Sequence, residues 1–251
     1  MIEVMTNRLT LIFVLLLPLC AWAQEEDRAL VVVFGDSITS ESGYDESSSG
    51  SFARNGALNA GLPSQLLTQI LNESRRPSLV PNWGHGGTTT GRAPDGSGQN
   101  NGVERISGNL ASSKATYPST QKIVLILYGT NDFGFGIPAS DTGFNTQIMI
   151  DRARAQGFIP VVGTLTPRAS RSVASVNSAI KSAASIKNAK LVDIFTLFNA
   201  AGGMSLLIDG LHPTTAGYQV IAQSWFDEFL EQNIEAKSPV IAPIIFLLLD
   251  E

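Results

Sequence analysis

Five stretches of this 251-residue chain are apolar almost without interruption, which suits parallel strands covered on both faces. They are Val31 to Phe34, Leu79-Val80 ahead of Pro81-Asn82, Ile123 to Tyr128, Ile159 to Leu165, and Leu191 to Phe195. Between them the period changes to that of a helix. Leu62, Leu66, Leu67, Ile70 and Leu71 make one stripe, and Val173, Val176, Ile180 and Ala184 a second. Tyr218, Ile221, Ala222, Trp225 and Phe229 make a third, and Gly157 after "DRARAQ" reads as a helix C-cap. Strands alternating with helices predict an α/β chain, a three-layer α/β/α sandwich around a parallel sheet. With no internal repeat or linker, residues 24–237 read as one domain.

The ends of the chain read differently. Arg8, the apolar run Leu9 to Leu19 and the small-x-small triplet Ala21-Trp22-Ala23 predict an export signal over residues 1–23. The run is too short for a membrane anchor, which needs about 20 apolar residues. Bulky Leu19 argues against lipidation at Cys20, the one cysteine in the sequence. Export would place the protein in the periplasm or outside the cell, without a disulfide or a thiolate metal site. Residues 238–251 form an apolar tail broken by Pro243, read as a packed edge segment or a dock for a partner. A net charge of −5 argues against nucleic acid and against an anionic membrane surface as partners.

In a parallel sheet the residues that leave each strand gather along its carboxyl edge, where ligands bind. Ser37 leaves the first strand, Asn82 to Gly87 ("NWGHGG") the second, Asn131 in "YGTND" the third, and Asp209 to Pro213 ("DGLHP") follows the fifth. A serine hydroxyl is a weak nucleophile and needs an adjacent base, for which imidazole is suited. Of the two histidines, His212 has a carboxylate three residues earlier, Asp209, able to hold the ring; His85 has none nearby in sequence. The competing reading of Asp209-His212 is a turn and helix start with Pro213 as first helical residue. An acyl transfer also needs oxyanion donors: the Ser37 amide, a glycine amide in "HGG" where a Cβ would block approach, and the Asn131 side chain. Phe133, Phe135 and Ile137 follow that asparagine as an apolar pocket wall or as ordinary packing. Asp36, beside Ser37, is counted with Phe133 and Phe135 among substrate contacts. Two polar loops, Ser40 to Ser51 and Gly84 to Gly102, are solvated surface or site walls.

Together "GDSIT" at Gly35 to Thr39, "NWGHGG", "GTND" at Gly129 to Asp132 and "DGLHP" resemble the GDSL, or SGNH, hydrolases, in that family's order and over nearly the whole chain. The resemblance implies a flavodoxin-like, five-stranded parallel sheet of order 2-1-3-4-5, no metal or other cofactor, and ester hydrolysis through an acyl-enzyme. Carried over by position, Ser37 is the nucleophile, His212 the base and Asp209 its orienting acid. The Ser37 amide, Gly87 and Asn131 are the oxyanion donors, Gly87 being preferred to Gly84 and Gly86 by its distance from Asn82. The substrate implied is a small-molecule or carbohydrate ester with a short acyl or acetyl group. Acyl transfer or deacetylation on carbohydrate uses the same residues, and a non-catalytic carbohydrate-binding module is the rival from another class.

Overall fold

A computed structural model describes residues 28–41 and 53–237. The export signal, most of the first polar loop and the C-terminal tail lie outside the described residues. The strands are β1 (Ala29–Gly35), β2 (Ala57–Leu58), β3 (Ser78–Leu79), β4 (Pro81–Gly84), β5 (Lys122–Leu127), β6 (Ile159–Gly163) and β7 (Lys190–Val192). The helices are α1 (Ser37–Ser40), α2 (Leu62–Glu73), α3 (Gly102–Thr116), α4 (Ala139–Ala155), α5 (Ala174–Ile186), α6 (Ile194–Ala201) and α7 (Thr215–Trp225), the last continued by a π-helical turn over Phe226–Leu230 into the short α8 (Glu231–Asn233).

One seven-stranded sheet runs in the order β2-β4-β1-β5-β6-β7, with β3 also against β1. All pairs are parallel except β2 with β4. The expected 2-1-3-4-5 order therefore stands at the centre, and two differences surround it. The second strand is split at Val80, because Pro81 has no N–H to give a ladder. Its register is the same on both sides of the split: Leu30 faces Leu79, and Val33 faces Asn82. The antiparallel edge β2 adds a pair that the sequence did not announce.

Every residue of β1 is buried, as a central strand covered on both faces must be. Val31 and Val33 join a core with Leu67 and Leu71 of α2 and Tyr218 and Trp225 of α7. Leu30, Val32 and Phe34 join another with Ile106 and Leu110 of α3 and Met149 of α4. Fully burying one such side chain stabilises the fold by about 1.5–3 kcal/mol, so the alternation along β1 fixes its register firmly. Helices α2 and α7 pack on each other, as do α3 with α4 and α4 with α5. The segment expected as a strand over Leu191 to Phe195 is shorter: β7 stops at Val192, and Ile194 begins α6. Ile194 and Phe198 are buried one helical turn apart, so an apolar run that looked like strand is shared by two elements. Likewise β6 ends at Gly163, before Thr164 and Leu165.

Candidate active site

Ser37 sits where β1 turns directly into α1. Asp36 caps that helix, its Oδ1 accepting from the Ile38 amide at 3.2 Å. The turn leaves no room for a side chain at Gly35, where a Cβ would lie 2.2 Å from the Leu127 carbonyl oxygen. Ser37 is 6% exposed and Asp36 not at all. Consecutive residues at a tight exit point to opposite sides, so the serine faces the sheet's edge and the aspartate faces inward.

The inward carboxylate is a tie between loops. Asp36 Oδ2 accepts from the Gly129 amide at 3.3 Å and from the Thr130 amide at 3.0 Å. Burial pushes its pKa up to about 6 despite the amides of Ile38, Thr130 and Gly129 that favour the charge. The expectation that Asp36 meets a substrate is thereby corrected: its oxygens are buried and occupied.

His212 Nε2 lies 3.1 Å from Ser37 Oγ, and its Nδ1 lies 2.7 Å from Asp209 Oδ2. Asp209 Oδ1 accepts from the amides of Leu211 at 2.9 Å and His212 at 2.7 Å. The carboxylate thus forms the turn with one oxygen and holds the imidazole with the other, so the turn half of the competing reading coexists with the imidazole contact, while Pro213 is not the first helical residue. Burial works to raise the Asp209 pKa, but the His212 amide, the ring and the Leu211 amide outweigh it and hold the group down at about 2. Helix α7 is capped by Thr214, one residue later than Pro213, through the Gly217 amide. A serine, an imidazole and a carboxylate in this series can move a proton off the hydroxyl and hold it on the ring.

His85 is placed elsewhere, its Nδ1 3.3 Å from the Asn100 side-chain nitrogen. Burial, and then the Arg105 charge, lower its pKa.

The oxyanion candidates come from adjacent loops. Asn131 Nδ2 donates to the Thr88 carbonyl at 2.8 Å, so the turn after β5 leans on the residue that follows Gly87. Gly84 is a packing residue: its amide donates to Asn82 Oδ1 at 2.8 Å, and a Cβ would lie 2.2 Å from the Ser40 nitrogen. Gly87 is exposed and has φ +73°. A Cβ there would meet no protein atom within 4 Å, and the left-handed backbone is what requires glycine within the fold itself. Among the described residues neither the Gly87 nor the Ser37 amide has an acceptor.

Phe133 and Phe135 stand 51% and 41% exposed just beyond Asn131, whereas Ile137 is buried and takes the packing role. Asp132, unnoticed in the sequence beyond its motif, is fully buried. Its Oδ1 accepts from the Thr90 amide at 2.8 Å, and its Oδ2 from the hydroxyls of Thr90 at 2.5 Å and Thr142 at 2.7 Å. Burial raises its pKa. This clamp fastens the glycine-rich loop to the turn bearing Asn131. The loop after β6 was also missed. Arg168 Nη1 donates to the Thr130 carbonyl at 2.9 Å, and Ala169 N to the Gly210 carbonyl at 2.7 Å. Its signal in sequence was only its position after a strand.

Among the described residues no group of three or more His, Cys, Asp or Glu could hold a metal ion. Nor is any helix among them long and apolar enough to cross a membrane.

The sheet, its two helical layers and the polar groups at its carboxyl edge define a three-layer α/β/α hydrolase fold. Within that class the chain belongs to the GDSL-like lipase/acylhydrolase family, whose sequence pattern matches residues 33–220. Solved structures agree on the fold. A lipase/acylhydrolase from Enterococcus faecalis is 18% identical with a TM-score of 0.64, over 84% of this chain and 100% of that one. An acetyl xylan esterase from Geobacillus stearothermophilus is 16% identical with a TM-score of 0.56, over 81% and 96%. The esterase EstA from a Pseudoalteromonas species is 19% identical with a TM-score of 0.57, over 81% and 98%. No curated protein matches the chain.

Proposed function

We propose that this protein is an exported serine esterase of the SGNH type that cleaves short-chain or acetyl esters through an acyl-Ser37 intermediate. The observation that carries the reading is the unbroken series from Asp209 through His212 to Ser37 Oγ, at 2.7 and 3.1 Å. As Ser37 Oγ bonds to the ester carbon, His212 Nε2 takes its proton, and Asp209 stabilises the imidazolium. The carbonyl electron pair moves to oxygen, where the amides of Ser37 and Gly87 and the Asn131 side chain receive it. Collapse expels the alcohol, protonated by His212. Water then repeats the sequence and frees the acid.

The short acyl preference is supported by the exposed placement of Phe133 and Phe135 and by the polar character of the Gly84 to Gly102 loop. The carbohydrate ester reading draws on the same loop and on the acetyl xylan esterase among the structural neighbours. Ser37→Ala is expected to lose p-nitrophenyl acetate turnover by about 10⁴-fold or more, together with all fluorophosphonate labelling, while keeping its circular dichroism. Activity retained in that variant would remove Ser37 from the reaction. A p-nitrophenyl series should peak at two to four acyl carbons, roughly, and a maximum at long chains would overturn the substrate reading. Enzyme recovered from outside the cytoplasm should begin at Gln24.

A further inference from the structure

The loop that follows β6 crosses the site. Arg168 is tied to the Thr130 carbonyl, next to Asn131, and Ala169 to the Gly210 carbonyl, between Asp209 and His212. The contact with Gly210 is close: a Cβ there would lie 2.7 Å from that of Ala169. This loop therefore spans the gap between the oxyanion turn and the histidine turn, and it carries two arginines.

Their settings are specific. Arg168 Nη1 is held by Thr130, and its Nε lies 3.2 Å from Ser170 Oγ, which fixes the plane of the guanidinium. Arg171 stacks on Phe133, its central carbon 3.2 Å from the ring centroid, and that ring is half-exposed beside Asn131. Stacking uses the face of a guanidinium and leaves its in-plane N–H fork free. Arg54, Arg92, Lys181 and Lys187 each pair with a carboxylate. Among the described residues Arg168 and Arg171 do not. Arg76, Arg105, Arg152 and Arg154 do not either, but each of those is bonded to backbone or hydroxyl oxygens away from the Asn131 turn. The nearby Asp209 has both oxygens engaged by its own turn and by His212. In a chain of net charge −5, two cations without counter-ions on one wall of the site are a local reversal of sign.

We propose that Arg168 and Arg171 form a subsite for an anionic group, a carboxylate or a phosphate, carried on the alcohol portion of the ester. The inference rests on the esterase reading above, since a short acyl group leaves the alcohol as the part large enough to reach the loop. A planar fork fits either anion in bidentate fashion. Charge of this kind contributes to specificity and to the rate of association more than to raw affinity.

The test compares three acetyl esters of similar shape: 4-acetoxybenzamide, 4-acetoxybenzoate and 4-acetoxyphenyl phosphate. The readout is the ratio of kcat/KM for each anionic ester to that for the amide, taken within one preparation so that partial unfolding cancels. In the wild-type enzyme at least one ratio should be about tenfold, mostly through KM, and should shrink as ionic strength rises from about 0.05 to 0.5 M. The larger of the two ratios tells carboxylate from phosphate. In Arg171→Gln and Arg168→Gln that ratio should fall toward unity. A wild-type enzyme that hydrolyses all three esters with ratios at or below unity overturns the subsite and leaves the esterase reading standing. Ratios unaltered in both variants do the same. Failure to hydrolyse any ester overturns the esterase reading itself, and the subsite with it.

Discussion

Asn131 has two amide hydrogens, and only one of them is committed, to the Thr88 carbonyl. The second is free to meet an oxyanion, so the residue both orients itself on the neighbouring loop and offers a donor fixed in advance. Asn131→Ala is therefore expected to lower kcat for p-nitrophenyl acetate by about 10²–10³-fold with KM nearly unaltered, since the donor matters most once charge has developed. A fall in kcat of less than about threefold would take Asn131 out of the oxyanion site. Side chains of this kind were legible in the sequence because their chemistry is rare: one serine at a strand exit, and two histidines from which to choose. Asp36 was not, because its neighbour in sequence points the other way, and only burial reveals that the carboxylate beside Ser37 is a brace. Gly87 stood between these cases, chosen for spacing but needed for its φ of +73°.

The loops that present these groups are held by buried polar ties as well as by the packing of Ile137 and Ala93. Asp132 binds the Thr90 amide and hydroxyl and the Thr142 hydroxyl, and Asn145 Nδ2 adds a bond to the Thr90 hydroxyl at 3.0 Å. Thr90 is thus both donor and acceptor in one network, fully buried. Thr90→Val keeps the shape and removes the hydroxyl, leaving Asn145 without its acceptor and Asp132 with one donor fewer. It should cost about 1–3 kcal/mol in urea unfolding and lower kcat, because Gly87 is carried by the same loop. Unaltered stability would show that the network is not the fastening. Such ties have no periodic signature, which is why the 84–102 stretch read only as a polar loop. Strands and amphipathic helices were legible from their apolar spacing. Helix α3 was not: its buried residues Ile106 and Leu110 are set among serines, glycines and charges. The edge strand β2 is two residues long and exposed, so no burial pattern could have announced it.

Across the whole molecule, the central strand order followed from alternating segments, but the response to pH depends on which carboxylates the fold buries. Asp36, raised from 3.8 to about 6 by burial, keeps its proton in the folded chain over a range where the unfolded chain has lost it. Its contribution to stability is present in full below pH 3.8 and is lost as pH rises through about 6. That loss is about 3 kcal/mol over the window. Asp132 is raised as well, also by burial first, and acts with the same sign. Asp209 acts oppositely: held at about 2, it contributes stability above pH 3.8 that disappears as pH falls toward 2. Asp36 and Asp132 therefore favour acidic solution, whereas Asp209, with Asp95, Glu104, Asp193 and His85, whose pKa values are also lowered, favours higher pH. Asp36→Asn removes the titrating group, so its urea stability should decline less than that of the wild type between pH 4.5 and pH 7, by about 2 kcal/mol, the part of the loss that falls inside that window. Parallel pH curves for the two proteins would mean that the Asp36 carboxylate is already ionised in the folded state at pH 4.5, satisfied by the amides of Ile38, Gly129 and Thr130.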